Sequence, residues 1–418
     1  MCIRDRLYAE ALTRKAHVLF TCDRYAEAHQ VAGQSLAIAQ ALTDQRITAS
    51  ALNIRGATAL MLGQTAAAIE DLRASLAAET GPTSPRTAHS LNYLGTALVF
   101  VQDYPQAQQA LAQAAALARQ GGIRRLEGAA LTMLGQIALN QGRYSEAVRI
   151  YSQAIEASEN AHLPGLWSKL AGRGLALLRM GRLAEARGDF ARGLEIARRI
   201  ESIYADLLMR TYLALADLAA GRAPQDSLAH LEAEAGAHGI HAVALTAGLG
   251  RASLARLLGE HETALAACQR ALRAAEASGV PQFAQHAELE AALIQAMTGA
   301  LDPVRLEALT QAAHAAGELP QQARAALALS LHLEQRSDLT GALDAAQRAV
   351  TLARACPDLP LLGECLIALR RLHEALGRAS DAETCCAELC DLAGQAYAPL
   401  ALAVAPDPTL RRLLWAAI

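Results

Sequence analysis

Residues 131–155, LTMLGQIALNQGRYSEAVRIYSQAI, read at helical period as two short amphipathic helices joined by a tight turn at Gly142-Arg143. Leu131, Leu134, Ile137 and Ala138 share one face of the first helix. Ala147, Ile150, Tyr151 and Ala154 share one face of the second. Gly135 falls mid-helix, where a glycine costs about 1 kcal/mol against alanine. The missing side chain is expected to let the two helices approach closely. One such hairpin cannot bury its own apolar face, so the unit should recur along the chain.

Working outward from Tyr144, the same turn position falls at Tyr25, Thr65, Tyr104, Tyr144, Leu183, Ala223, His261, Leu339 and Ala379. The interval is about 39 residues, with one double interval after His261 that places a degenerate pair near Gly299–Asp302. The small residue three positions into the second helix recurs as Ala28, Ala68, Ala107, Ala147, Ala186, Ala264, Ala342 and Ala382, and Asp226 breaks the series. The small residue within the first helix recurs as Ala16, Gly56, Gly95, Gly135, Gly174, Ala214, Ala252 and Ser330. Proline placement agrees with this division. Pro82, Pro85, Pro164, Pro281, Pro320, Pro357 and Pro360 read as lying between pairs. Pro105, Pro224 and Pro303 lie at or just before the first turn of a second helix, where no backbone donor is lost.

The order Leu-Gly, then Gly two residues before Tyr, then Ala three residues after it, resembles the tetratricopeptide repeat (TPR). The period is longer than the 34 residues usual for that repeat and approaches the HEAT and armadillo range. The short turn with its Gly-x-Tyr signal argues against that alternative, and the extra residues are assigned to longer helices and linkers. Such long repeats look like those of kinesin light chains, polarity-complex adaptors and large bacterial ATP-dependent regulators of the maltose-activator type. The resemblance implies an all-α, right-handed α-solenoid of about ten antiparallel helix pairs, a TPR-like superhelix over residues 7–393. The pairs are expected to start near 7, 47, 86, 126, 165, 204, 242, 282, 321 and 360. Residues 1–6, MCIRDR, fit no helix pattern continuous with residue 7 onward and are read as an artefactual or disordered leader. Residues 394–418 carry three prolines and an amphipathic segment that stops at once, so the chain is read as a fragment of a longer protein.

Composition bounds the function. Hydrophobic residues make up 53% of the 418 but aromatics only 4%, so the apolar content is mostly Ala and Leu, suited to closely packed helices. A net charge of −3 and a pI near 6.5 argue against direct nucleic-acid binding. The most apolar stretch, Leu207–Ala220, still holds Arg210 and Asp217, so no membrane span is expected. The eight cysteines show no framework spacing, which points to a reducing, cytoplasmic compartment.

No GxGxxG, Walker, HExxH or GxSxG pattern occurs, and no enzyme activity or cofactor is expected. His238 and His241 could share a helix face but have no further ligand at metal spacing. Cys365, Cys385, Cys386, Cys390 and His373 form the one cysteine cluster, read as core packing with Cys386 and Cys390 facing inward. No metal site is assigned. Glu232 and Glu234 read as a solvated helix face.

The informative positions lie on first helices, which in TPR arrays line the concave side. Three residues before each mid-helix small residue stand Thr13, Asn53, Asn92, Thr132, Ala171 and Thr211. Compact polar residues cost helix propensity, so their recurrence suggests a compensating use. In long-repeat relatives an Asn ladder here holds an extended peptide by its backbone, and this series resembles it. The alternative is that these residues bond a neighbouring helix. His17, Thr96 and Gln136 follow the small residues, and Ser50 and His89 precede them, so these should face the same groove. The site is expected in pairs three and four, with Leu175, Leu178, Leu215 and Leu218 as an apolar stretch able to take an anchor.

The expected function is therefore a non-catalytic scaffold that binds protein or extended peptide in its groove. Its place would be the sensor or interaction arm of a larger bacterial regulator of signal transduction or transcription, whose ATPase or DNA-binding domain would be encoded upstream. The second reading is a TPR domain whose groove encloses a small-molecule pocket.

Overall fold

The structure is a computed structural model that describes residues 3–79, 85–159, 165–220, 226–278 and 280–395. These residues form twenty α-helices in ten consecutive pairs. The first five pairs are α1 (Ile3–Thr21) with α2 (Tyr25–Ala41), α3 (Gln45–Met61) with α4 (Thr65–Ala77), α5 (Pro85–Phe100) with α6 (Tyr104–Gln120), α7 (Arg124–Asn140) with α8 (Tyr144–Glu159), and α9 (Leu166–Arg179) with α10 (Leu183–Arg199). The rest are α11 (Ile203–Ala219) with α12 (Ser227–Ala237), α13 (His241–Leu257) with α14 (His261–Ser278), α15 (Pro281–Thr298) with α16 (Pro303–Ala315), α17 (Leu319–Gln335) with α18 (Leu339–Ala355), and α19 (Leu359–Ala375) with α20 (Ala379–Gln395). The chain is an all-α, TPR-like solenoid.

The repeat's signature has a backbone cause. Two residues before the turn position stand Asp23, Gly63, Gln102, Gly142, Gly181, Gly259, Ser337 and Gly377, all with φ between +59° and +79°. That left-handed residue ends the first helix. In pair two, Gln64 N–H bonds Ala59 C=O at 2.8 Å and Gly63 N–H bonds Leu60 C=O at 3.1 Å, a Schellman closure that satisfies otherwise orphaned carbonyls. The next residue but one then starts the second helix, so Tyr25, Thr65, Tyr104, Tyr144, Leu183, His261, Leu339 and Ala379 are all first helical residues. Ala223 lies outside the described residues.

The small residues mark close packing. Ala28, Ala68, Ala107, Ala147, Ala186, Ala264 and Ala342 are fully buried. A Cβ on Gly56 would stand 2.7 Å from Leu72 Cγ, and Cβ atoms on Gly95 and Gly174 would collide with Leu111 and Phe190. These three glycines are therefore holes that the larger side chain of the second helix fills. An ion pair repeats beside two of them: Arg55 grips Asp71 and Arg173 grips Asp189, in each case with Nε 2.7 Å from a carboxylate oxygen.

Three expectations change. The helix begins at Ile3, so residues 3–6 belong to α1; Arg6 pairs with Asp44 at 3.0 Å, tying this turn to the next pair. Pro85, Pro281, Pro320 and Pro360 sit in the first turns of helices rather than between pairs, where the missing N–H is an orphan in any case. Glu232 is mostly shielded, with Oε1 2.8 Å from Arg270 Nε and a second ion pair to Arg251. The expected tail, 394–418, lies outside the described residues from 396 onward.

The described chain divides into two compact units, Met1–Ile137 with Gln153–Leu163, and Ala138–Ser152 with Pro164–Ile418. Within the second unit the array touches itself at long range. Tyr144 Oη donates to Asp358 Oδ2 at 2.9 Å, both groups being buried, and Arg179 stands 3.8 Å from the same carboxylate. Gly142 packs where a Cβ would strike Cys356 and Pro320. Arg256 of α13, itself buried, bridges Glu290 of α15 at 2.8 Å and Glu364 of α19 at 2.9 Å. Among the described residues no helix is long and apolar enough to cross a membrane.

Candidate functional site

In the first unit the first helices of successive pairs, α1, α3 and α5, lie side by side. They enclose a cleft of about 240 Å³. His17 and Phe20 come from α1; Asn53, Ile54 and Ala57 from α3; Arg86, His89 and Tyr93 from α5. One helical turn separates His17 from Phe20 and His89 from Tyr93, so each pair projects to the same side. The ring centroids of Phe20 and Tyr93 are 6.0 Å apart and meet nearly edge-on, at 83°. Phe20 also meets Tyr25 at 5.7 Å, and His89 stands 6.5 Å from Tyr93. The wall is thus aromatic at one side and amide and cationic at the other.

The polar groups are fixed from behind. Asn53 Nδ2 donates to Ser90 Oγ at 2.7 Å, and Ser90 lies 3.1 Å from Ser75 Oγ, which in turn donates to Ala49 C=O at 2.8 Å. Arg86 is held by Glu79, with Nε 2.6 Å from Oε1, and also bonds Ser50 Oγ. No carboxylate lines the cleft among the described residues. Burial, then the neighbouring positive groups His17 and Arg125, hold the His89 imidazole below the ordinary histidine range. Burial pushes the Tyr93 phenol upward, with Arg125 opposing the shift. The cleft therefore presents an aromatic surface beside two imidazoles and an Arg86 guanidinium that Glu79 already pairs.

Of the ten groove residues read from sequence, His17, Asn53 and His89 meet here, and Ser50 adjoins through Arg86. The others do not line it. Thr13 Oγ1 lies 2.7 Å from Ser35 Oγ inside pair one. Thr96 Oγ1 donates to Asn92 C=O at 2.8 Å, and Thr132 Oγ1 to Gly128 C=O at 2.6 Å. Thr211 is fully buried and donates to Leu207 C=O at 2.8 Å, so it is a packing residue and not part of a groove. A threonine that bonds the carbonyl one turn back satisfies itself, which is why spacing alone overstates such positions. Asn92 is buried, 8% exposed, and its Oδ1 has no hydrogen-bond partner. Gln136 is half-buried on α7.

The location also shifts from pairs three and four to pairs one to three. Leu218 lies in the core, whereas Leu175, Leu178 and Leu215 are half-buried and pack against core clusters. Sequence reading missed Phe20, Arg86 and Tyr93. Phe20 and Tyr93 carried a usable signal, since each stands one helical turn after a chosen histidine.

Elsewhere, Cys365 and Cys385 are buried, whereas Cys390 is exposed and does not face inward. Burial pushes the Cys365 thiol well up, the behaviour of a packing residue. His238 and His241 are exposed. Among the described residues no group of three metal-ligating side chains comes together.

Family models for the tetratricopeptide repeat match residues 86–160 and 306–360. No curated protein matches the sequence. Among solved structures, the apo form of RapI aligns with a TM-score of 0.57 at 12% identity, over 65% of this chain and 98% of that one. A Rap protein complexed with competence and sporulation factor aligns at 0.49 and 13%, over 95% and 99%. The apo quorum sensor NprR from B. thuringiensis aligns at 0.49 and 12%, over 85% and 99%. The left-handed turn residue, the glycine hole and the buried alanine recur through the array, and two segments match the repeat's models: the chain carries tetratricopeptide repeats at residues 86–160 and 306–360 within an all-α, TPR-like fold.

Proposed function

We propose that this protein is a non-catalytic binding scaffold that takes a protein or peptide segment against the inner helices α1, α3 and α5. The observation that carries the reading is the cleft itself: side chains from three successive first helices converge on one largely aromatic and apolar concavity. Phe20 and Tyr93 supply anchoring surface, where a few buried aromatics contribute most of the affinity in such contacts. Asn53 lines the cleft with its Nδ2 engaged by Ser90, which leaves its amide oxygen to accept from the backbone of an extended chain. A place as the sensor or interaction arm of a bacterial regulator would use this cleft to take up the segment that is sensed. An ATPase or DNA-binding domain encoded in the same reading frame or its neighbour would complete that assignment.

Selection of binding peptides from a displayed library against the full chain tests the proposal. The Phe20→Ala/Tyr93→Ala variant should bind selected peptides at least about tenfold more weakly, a loss of about 1.4 kcal/mol or more, with its far-ultraviolet circular dichroism unchanged. Asn53→Ala should weaken binding less. Equal binding by the aromatic double variant would sink this site.

A further inference from the structure

The cleft between α1, α3 and α5 carries two imidazoles besides its aromatic rings. His17 comes from α1 and His89 from α5, so they reach the concavity from different helix pairs. His17 is exposed and His89 half-buried. Among the described residues neither ring has a hydrogen-bond or ion-pair partner. Apolar groups share the cleft with them: Phe20, Ile54, Ala57 and Tyr93, whose ring stands 6.5 Å from that of His89 at 28° to it.

A proton on His89 finds no free anion there. His17 faces it from α1, Arg86 from its own helix and Arg125 from α7. From α3 come Asn53, Ile54 and Ala57, none of which titrates, and α6 sends no side chain into the cleft. The nearby carboxylates are already engaged. Glu79, just after α4, accepts from Arg86 at 2.6 Å. Glu127 of α7 is held by Arg119 at 2.7 Å and by Arg124 at 3.3 Å. Burial first, then the charges of His17 and Arg125, hold the His89 ring below the ordinary histidine range. The Tyr93 phenol, pushed upward by burial, adds no charge.

Resting on the reading of this cleft as the binding site, we propose that it holds its segment only while the His89 imidazole is neutral, and releases it on acidification. The segment lays an uncharged, apolar side chain against Phe20 and Tyr93. Filling the cleft takes water away from half-buried His89, and that penalises an imidazolium more than a neutral ring. The occupied chain therefore takes up a proton less readily than the empty one. By reciprocity the proton opposes the segment to the same extent. Affinity is complete above the range in which His89 titrates and falls as pH drops through it, by at most about tenfold per pH unit for one proton.

Peptides selected at about pH 7.5 from the displayed library serve as the probe, with the full chain as receptor. Their affinity should fall at least about threefold between about pH 7.5 and about pH 5, with circular dichroism unchanged. His89→Gln, whatever its affinity at the upper pH, should lose most of that slope. In nuclear magnetic resonance the His89 ring should titrate at lower pH in the complex than in the free chain. Affinity that ignores pH, an equal fall in His89→Gln, or equal titration of the ring in both states overturns the proposal. So does affinity that rises on acidification, the mark of a carboxylate meeting the imidazolium. Failure to select any peptide is a different result: it removes the binding site itself, and this proposal with it.

Discussion

At the scale of the residue, what separates a site residue from a packing residue is where its hydrogen bond goes. Thr13, Thr96, Thr132 and Thr211 occupy positions like those of Asn53 and His89, yet each hydroxyl bonds the carbonyl of its own helix one turn back. Asn53 Nδ2 bonds Ser90 of the neighbouring helix α5, as the alternative reading of this series expects, and what distinguishes it from the threonines is that it also lines the cleft. His89 gives a pH test. Its imidazole is held below the ordinary histidine value by burial and by His17 and Arg125, so the unfolded chain takes up the proton first. The stability owed to neutral His89 is complete above about pH 6.5 and is lost as pH falls below it. Urea midpoints at about pH 7.5 and pH 5 should therefore differ more in the wild type than in His89→Gln. An equal pH dependence in the two proteins contradicts the assignment.

Elements differ in how firmly each pair can be held. Fifteen of the twenty helices carry 16 to 18 residues, whereas α12 has 11 and α16 has 13. α4 is as short as α16, but only α12 and α16 among the short helices fall where the sequence ladder breaks, at Asp226 and around Gly299–Asp302. Fewer turns bury less apolar surface against the neighbouring pair, so the local opening free energy falls. Hydrogen exchange should show α12 and α16 losing protection first, ahead of α10 and α18. Uniform protection through all these helices would contradict this ranking. The break at pair eight is legible in the sequence as a missing interval, which locates the degenerate turn at Gly299–Asp302. That the gap becomes a slot between α16, α17 and α18, bordered by His332 and Arg348, is not legible there, because it depends on which side chains of α17 and α18 meet across it.

For the whole molecule, the ideal repeat array is a chain of nearest-neighbour contacts. The second unit departs from it. Tyr144 and Asp358 are separated by 214 positions, and Arg256 and Glu364 by 108, yet both pairs bond. Asp358 also caps α19 through Leu361 N–H at 3.2 Å. Asp358→Ala should therefore cost about 1–3 kcal/mol, since it removes a cap and strands the buried Tyr144 hydroxyl. It should also raise exchange at both Gly142–Ala147 and the start of α19. A loss confined to α19 would reduce Asp358 to a local cap.

The sequence by itself determined the helix pairs, because their causes are local: wherever the turn is described a left-handed residue ends the first helix, a small residue admits its partner, and a 3.6-residue period marks the buried stripe. Tyr144 as a turn residue was legible for that reason. Tertiary structure alone decided that Tyr144 bonds Asp358, that Phe20 meets Tyr93, and that Thr211 is interior. Those outcomes depend on small rotations between successive pairs, which add up along the array. No single repeat encodes that sum, so residues at equivalent positions end in different surroundings.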